Sequence, residues 1–215
     1  MFHGRPVTEP GYRDPPPAFA SRLLRRFLLW FYRRRGWTAV GAPPAERRCV
    51  IIAAPHTSNW DFVYFLGLTD ALGIKAHFMG KKSLFRWPMK RFMRDMGGVA
   101  VDRSSSNNVV DAMVAEFGRR KEFMLTVAPE GTRKAVTQWR TGFYQIALAA
   151  GVPLVCGLMD YGRKTGGLGP AIMPTGDYAA DMAKIVDYYR SVTPKHPERA
   201  IADFSVITGA ATRRA

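Results

Sequence analysis

Short apolar runs alternate with helical patterns along most of the chain. Runs rich in apolar and β-branched residues predict strands at 49–54, 76–80, 99–102, 123–128, 153–158 and 171–174. Apolar residues at helical spacing predict helices over 60–72, 84–96, 108–120, 142–150 and 178–191. Such alternation predicts an α/β fold in which a largely parallel or mixed central sheet is flanked by helices.

The segment 21–35 has a different pattern, with arginines at both ends of an apolar block. Spacings of three and four residues place the apolar side chains on one helical face: Leu23, Leu24, Phe27, Leu28 and Phe31. The block is too short to cross a bilayer. It predicts an N-terminal basic amphipathic helix that lies on an anionic membrane surface. A helix packed on the domain with solvated arginines is the alternative.

The ends of the chain carry weaker patterns. Residues 1–18 are polar and rich in proline, which indicates a loose or disordered tail without the apolar segment of a signal peptide. We expect the amphipathic helix at 19–37, one α/β domain over 38–193 and a C-terminal tail over 194–215. We expect a cytoplasmic protein, bound peripherally to the inner face of the cell membrane.

Charge is the unusual feature of the composition. The 215 residues include 32 Lys and Arg against 17 Asp and Glu, a formal net charge of +15. Residues 1–48 carry ten Arg against three acidic residues, and residues 75–103 carry eight Lys and Arg against two. This excess predicts an anionic partner: a membrane, a phosphorylated substrate or nucleic acid. The two cysteines, Cys49 and Cys156, lie far apart in apolar runs, so we expect reduced core residues and no metal site.

Candidate chemistry begins after the first predicted strand, where His56 and Asp61 are five residues apart. On one continuous helix these residues would be about 140° apart and could not meet. With His56 in a loop and Asp61 in the first turn of a helix capped by Ser58 or Asn59, the carboxylate can reach the imidazole. An imidazole oriented by a carboxylate can act as a general base. A loop histidine beside a helix-capping aspartate is the simpler alternative.

Arg103 follows another predicted strand and precedes a predicted helix. A guanidinium beside a helix amino terminus suits a phosphate group. A surface ion pair between Asp102 and Arg103 is the alternative.

A third loop, at 128–134, has the sequence APEGTRK. Gly131 permits close backbone approach, and hydrogen-bond donors for an anion follow it: Thr132, Arg133 and Lys134. Glu130 among these cations suits a positioning group better than a second base. A glycine turn with solvated charges is the alternative.

The order of these segments, followed by the run VPLV at 152–155, resembles the four motif blocks of the glycerophospholipid acyltransferase superfamily, the lysophosphatidic acid acyltransferases in particular. The resemblance covers about residues 49–157. Several positions depart from the residues common in the family and indicate a divergent branch: Pro55, Ala100, Ala128, Lys134 and Cys156.

The resemblance implies a role for each matching residue. His56 and Asp61 match the catalytic pair of the family. The positions that match acceptor and phosphate binding are Arg103, Glu130, Gly131, Thr132 and Arg133. Val152 and Pro153 match the block linked to the acyl chain. Lys81, Lys82 and Lys134 are candidates for contact with the acyl donor or a lipid headgroup.

The implied reaction is acyl transfer from acyl-CoA or acyl carrier protein to the hydroxyl of a lysophospholipid. The expected acceptor is 1-acyl-glycerol-3-phosphate, which would give phosphatidic acid in phospholipid biosynthesis. The donor is a substrate, so no cofactor is expected. The alternative is an acyltransferase that acts on a non-phosphate lipid acceptor, such as a glycolipid or a lyso-aminolipid.

Two other classes of protein fit the sequence less well. A nucleic-acid-binding protein would explain the charge, but no nucleic-acid-binding module is recognisable, and no nucleic acid is expected as a partner. A hydrolase that uses His56 and Asp61 would need a nucleophile, and the chain has no Gly-x-Ser-x-Gly turn.

Overall fold

The computed structural model describes residues 14–101, 106–201 and 203–207, and there the chain forms a seven-stranded sheet flanked by helices. The strands are β1 (Thr38–Val40), β2 (Arg48–Ala53), β3 (Ala76–Lys81), β4 (Gly98–Val101), β5 (Phe123–Val127), β6 (Leu154–Asp160) and β7 (Thr165–Ile172). The helices are α1 (Phe19–Arg34), α2 (Trp60–Ala71), α3 (Lys90–Asp95), α4 (Ser106–Arg119), α5 (Gly142–Ala150) and α6 (Tyr178–Tyr189). The predicted α/β fold is confirmed.

The strands are arranged in the order β1-β7-β6-β2-β5-β3-β4. All neighbouring strands run parallel except β6 and β7, so the sheet is mixed. The parallel strands β2, β3, β5 and β6 therefore end at one side of the sheet, which we call the carboxyl edge. Loops at this edge of an open α/β sheet are where functional side chains converge.

The central strand β2 is buried on both faces, as its unbroken apolar run predicts. Val50 and Ile52 point to the larger core, which is shared with α4, α5 and α6. Cys49 and Ile51 point to the other face, where Phe65 of α2 packs. Buried on both sides, β2 is a rigid support for the loop that follows it.

The helix predicted over 84–96 is wrong in its first half. A 3₁₀ turn, Lys82–Phe85, is followed by an irregular segment, and only Lys90–Asp95 forms an α-helix. Pro88 explains the difference, because it has no backbone N–H and disfavours helical geometry in the residue before it. The residue before it, Trp87, is 91% exposed.

The strand predicted at 171–174 is the end of a longer strand, β7, and β1 was not predicted. Three glycines and a proline in β7 hide the apolar alternation: Gly166, Gly167, Gly169 and Pro170. A Cβ on Gly167 would lie 1.8 Å from the carbonyl oxygen of Val40, so the close approach of β1 requires glycine there. Alternation of apolar and polar side chains is the signal that predicts a strand, and the glycines of β7 remove that signal.

Helix α1 packs against α2, where its buried Tyr32 forms a cluster with Tyr64 and Leu68. The ring of Tyr32 lies over Gly67, where a Cβ would come within 2.2 Å of the ring. Another part of the α1 surface exposes apolar side chains: Phe19, Leu23, Phe27 and Trp30. Within the described ranges, no helix combines the length and apolar character needed to span a bilayer.

The described part of the segment after residue 193 contacts the domain. The backbone N–H of His196 donates to Thr57 Oγ1 at 3.2 Å. Ile207 is 2% exposed and belongs to the larger core. Residues 1–13, 102–105, 202 and 208–215 lie outside the described residues, and most of the predicted N-terminal tail is among them.

Candidate active site

His56 and Asp61 form the centre of the site, at the carboxyl edge. Strand β2 ends at Ala53, and the loop before Trp60 carries His56. His56 Nδ1 lies 2.9 Å from Asp61 Oδ2. Because a carboxylate can only accept, the hydrogen of this bond belongs to Nδ1, which leaves the lone pair of Nε2 available to take a proton.

The loop between the two residues folds back onto Asp61. The backbone N–H groups of Thr57 and Ser58 donate to Asp61 Oδ2 at 3.1 and 3.0 Å. Ser58 Oγ accepts from the N–H of Trp60 at 3.2 Å, whereas Asn59 makes no capping hydrogen bond through its side chain. Capping by Ser58 starts α2 one turn after His56, and this brings a five-residue spacing into contact.

Asp61 is 5% exposed and is held in its ionised form. Burial by itself raises the pKa of a carboxyl, but hydrogen bonds from His56 and Tyr161 outweigh burial and lower the pKa of Asp61. The Tyr161 hydroxyl donates to Asp61 Oδ1 at 2.5 Å. An ionised carboxylate in this position fixes the tautomer of His56 and can stabilise an imidazolium.

Glu130 contacts the same loop from the carboxyl end of β5. Its Oε1 accepts from the backbone N–H of His56 at 3.2 Å, and its side chain is 5% exposed. Glu130 Oε2 is buried and has no hydrogen-bond partner among the described residues. Burial raises the pKa of Glu130 to about 7. The resemblance implied acceptor binding by Glu130, but the structure gives its carboxylate a contact that positions the His56 backbone.

The cationic part of the loop follows Glu130 directly. Gly131 has a φ of 66°, a left-handed conformation that favours glycine, and its N–H donates to the carbonyl of Ala128. Arg133 is half-buried, and its Nε is buried without a hydrogen-bond partner among the described residues. Thr132 Oγ1 accepts from the N–H of Lys134, whose side chain is exposed. This loop presents unsatisfied donor capacity beside the His56 loop.

The other predicted site residues fall into three groups. Lys81 and Lys82 lie at the carboxyl end of β3, on the same edge of the sheet as His56. Arg103 lies outside the described residues.

Val152 and Pro153 are at the opposite edge, so the structure does not bring them to His56. They precede β6, and the carbonyl of Pro153 accepts from the N–H of Val50 near the start of β2. Val152 is 4% exposed and belongs to the larger core. The parallel register of β2 and β6 separates this block from the carboxyl edge.

Two apolar cavities adjoin the site on opposite faces of the sheet. A narrow cavity of about 60 Å³ reaches His56 and Asp61 between the sheet and α2, with Phe65, Leu68 and Met159 in its wall. A larger cavity of about 500 Å³ lies beside Gly131, with further lining by Met79, Val101, Val127, Trp139 and Phe143. Both cavities can accommodate apolar groups next to polar chemistry.

Tyr161 is the residue of this site that sequence reasoning missed. It lies 100 positions from Asp61 and belongs to no recognisable motif. A polar aromatic residue at the end of a parallel strand was the available signal, because Tyr161 directly follows β6 at the carboxyl edge.

Together these residues provide a base, a carboxylate that orients it and nearby cationic donors. Such a set can remove a proton from a hydroxyl group that is held by an anionic substituent. Among the described residues, no group of three His, Cys, Asp or Glu side chains is arranged to hold a metal ion.

The chain matches a family model described as "Acyltransferase" over residues 40–159. Two curated relatives are the 1-acyl-sn-glycerol-3-phosphate acyltransferases of Salmonella typhimurium and Salmonella typhi. Each is 29% identical over an alignment of 112 residues, and the match covers 49% of this chain and 44% of the relative. The matched part of the chain thus spans less than half the length of these relatives.

A solved structure has the same fold. The 1-acyl-sn-glycerophosphate acyltransferase PlsC of Thermotoga maritima aligns with a TM-score of 0.51 and 19% sequence identity. The alignment covers 79% of this chain and 78% of the Thermotoga chain. At this identity the likeness concerns the fold alone.

Proposed function

The chain belongs to the acyltransferase family, within the glycerophospholipid acyltransferase superfamily, and from this premise we propose that it transfers a fatty acyl group from an acyl thioester to the hydroxyl of a lysophospholipid. The proposed acceptor is 1-acyl-glycerol-3-phosphate, and the donor is acyl-CoA or acyl carrier protein. The observation that carries the proposal is the 2.9 Å contact of His56 Nδ1 with Asp61 at the carboxyl edge.

His56 acts as the general base in this proposal. Its Nε2 takes the proton of the acceptor hydroxyl while the oxygen attacks the thioester carbonyl, and Asp61 stabilises the imidazolium that forms. The new C–O bond replaces the C–S bond, and the departing thiolate receives the proton from His56. General-base assistance of this kind contributes roughly 10²–10⁴-fold in rate.

The acceptor phosphate binds to the loop after Glu130. Arg133 supports this role, because its buried Nε lacks a partner among the described residues and a phosphate oxygen would satisfy it. Lys134 and Lys81 add positive charge at the same edge of the sheet. From its sequence position alone, Arg103 is a further phosphate ligand.

The acyl chains of donor and acceptor occupy apolar space beside the loops at the carboxyl edge. The cavity of about 500 Å³ beside Gly131 supports this, since it is large enough for part of an acyl chain and adjoins the loop that carries the cations. Val152 and Pro153 act on the acyl chain only indirectly in this proposal, because they lie at the other edge of the sheet.

Helix α1 attaches the protein to the membrane surface that contains the lipid substrates. Four exposed apolar side chains of α1 would enter the acyl region of a bilayer: Phe19, Leu23, Phe27 and Trp30. Arginines of the same helix would bind lipid phosphates, and we propose peripheral attachment to the inner face of the cell membrane.

The direct test is a transfer assay with purified protein. Acyl-CoA and acyl carrier protein are each offered with a panel of lysolipids that have phosphate, sugar or amino-acid headgroups, and the products are read by mass spectrometry. Phosphatidic acid that disappears with His56→Ala supports the proposal. Acylation of a non-phosphate acceptor instead would show that the protein is an acyltransferase for a glycolipid or a lyso-aminolipid. Equal product from wild type and His56→Ala would contradict the proposed role of His56.

A further inference from the structure

The carboxylate of Asp61 is held at both oxygens, by groups from different parts of the chain. Oδ2 accepts from His56 Nδ1 and from two backbone N–H groups of the loop. Oδ1 accepts from the Tyr161 hydroxyl, and among the described hydrogen bonds this is the one that fixes it. Without that bond, the carboxylate would rotate more freely about χ2 of Asp61, because the energy of this torsion depends only weakly on its angle.

Tyr161 is itself fixed in position by its neighbours. Its ring meets Trp37 edge-on at a centroid distance of 5.0 Å and Tyr64 at 5.5 Å. Its backbone N–H donates to the carbonyl of Thr193 at 2.8 Å. The preceding residue, Asp160, is fully buried and binds Arg163 at 2.7 Å, which secures the turn between β6 and β7. The hydroxyl therefore reaches Asp61 from a rigid support.

A tyrosine in this position acts on the charge as well as the orientation of Asp61. A hydroxyl that donates to a carboxylate forms a strong, charge-assisted bond and makes the carboxylate less basic. Burial and the neighbouring Asp61 raise the pKa of Tyr161, so the phenol remains a donor throughout the physiological range. A less basic Asp61 leaves the proton of the His56–Asp61 pair on the imidazole.

We propose that Tyr161 is a positioning residue for the reaction, the third member of a Tyr161–Asp61–His56 hydrogen-bond chain that orients the base and limits the basicity of its carboxylate. The inference rests on the acyl transfer proposed above. It assigns a function to a residue outside the motif blocks that carry the family resemblance.

The kinetic test compares Tyr161→Phe with Tyr64→Phe. Both variants remove one hydroxyl from the same aromatic cluster, but only Tyr161 donates to Asp61. We expect Tyr161→Phe to lower kcat about tenfold with little change in KM, because the hydroxyl acts on the base through Asp61 and not by binding substrate. The acidic limb of its kcat/KM profile should move to higher pH, because a more basic Asp61 stabilises the protonated imidazole of His56 more strongly. Tyr64→Phe should leave both readouts unchanged.

A spectroscopic test does not depend on activity. The low-field proton resonance of His56 Nδ1–H reports the strength of the bond to Asp61, and it should move to lower field in Tyr161→Phe but not in Tyr64→Phe. If Tyr161→Phe does not fold, uniform 3-fluorotyrosine labelling tests the same bond in the opposite direction. Fluorination makes the Tyr161 hydroxyl a stronger donor and Asp61 less basic, so the His56 Nδ1–H resonance should move to higher field.

The outcomes separate the two proposals. A wild-type protein without transferase activity, but with the expected shift of the resonance, would overturn the proposed function and retain the hydrogen-bond chain. An active enzyme in which Tyr161→Phe changes neither kcat, pH profile nor resonance, or in which Tyr64→Phe has the same effects, would overturn the role of Tyr161.

Discussion

The carboxylate of Glu130 accepts a hydrogen bond from the backbone N–H of His56, 74 positions earlier in the chain. This bond links the loop that carries His56 to the loop that carries Arg133 and Lys134. It also places an acid in a buried environment, where the ionised form is costly. The pKa of Glu130 therefore rises to about 7.

Glu130→Gln should change how stability depends on pH. The unfolded side chain loses its proton near pH 4.5, whereas the folded one loses it near pH 7. Between these values the folded state binds more protons, so the free energy of unfolding falls as the pH rises. The fall amounts to about 3 kcal/mol across this window, at 1.36 kcal/mol per pKa unit.

Denaturant unfolding at pH 4.5, 5.5, 6.5 and 7.5 checks this prediction. Glu130→Gln keeps an acceptor for the His56 N–H but cannot ionise, so its stability should decline less than that of the wild type. Identical pH dependence in both proteins would show that Glu130 does not titrate in this window.

His56→Ala and Asp61→Asn should separate the base from its orienting group. His56→Ala should lower kcat by roughly 10²–10⁴-fold, the usual contribution of a general base. Asp61→Asn removes the charge that stabilises the imidazolium and should also lower kcat strongly. Both are measured with saturating substrates, and circular dichroism establishes that the fold is retained. Near-normal transfer by folded His56→Ala would contradict the assignment.

Gly67→Ala should weaken the packing of α1 on the domain. A Cβ at this position would lie 2.2 Å from the ring of Tyr32, and such overpacking costs about 1–3 kcal/mol. Gly118→Ala is the matched control, because a Cβ on Gly118 meets nothing within 4 Å. There the lost backbone freedom of the unfolded chain should increase stability by about 0.5–1 kcal/mol. Thermal unfolding should show opposite signs for the two substitutions.

Leu23→Gln combined with Phe27→Gln should reduce binding to anionic vesicles. The two side chains are 60% and 58% exposed, so the change removes apolar surface without opening the core. Each side chain that is fully buried in lipid contributes about 1.5–3 kcal/mol, so a loss of at least tenfold in affinity is expected. Sedimentation with phosphatidylglycerol vesicles measures it.

Leu148→Gln combined with Met173→Gln is the control for the vesicle experiment. These residues are also exposed and apolar, at 38% and 55%, but they do not belong to α1. Equal loss of binding in both double variants would indicate that α1 has no special role at the membrane.

The order and type of most helices and strands follow from local pattern. β2 and β5 have continuous apolar runs, and α2 begins at a serine cap, so the sequence alone predicts each of them. The predictions fail where glycine or proline residues meet a tertiary or backbone requirement that the apolar pattern does not show. Glycines in β7 serve the approach of β1, and Pro88 interrupts a helical pattern whose spacing is otherwise good.

The candidate site divides in the same way. His56 and Asp61 are close in sequence, so the loop and its cap bring them together and their contact can be predicted. The family resemblance implies that Glu130 binds the acceptor substrate. In the structure its carboxylate accepts from the His56 backbone, a contact that depends on the pairing of β2 with β5. Val152 belongs to the fourth motif block, but it precedes β6. The direction of β6 therefore places it at the edge of the sheet opposite His56.

Sequence alone determined the α/β class, the contact of His56 with Asp61 and the likeness to a family. Each of these is read from local patterns: a single short loop, or the order of short segments along the chain. Tertiary structure decided that Tyr161 would reach Asp61 across 100 residues and that Glu130 would be buried against His56. The physical reason is that capping and periodicity act over one or two turns of chain. Contacts between loops, in contrast, are set by the order and direction of strands in the sheet.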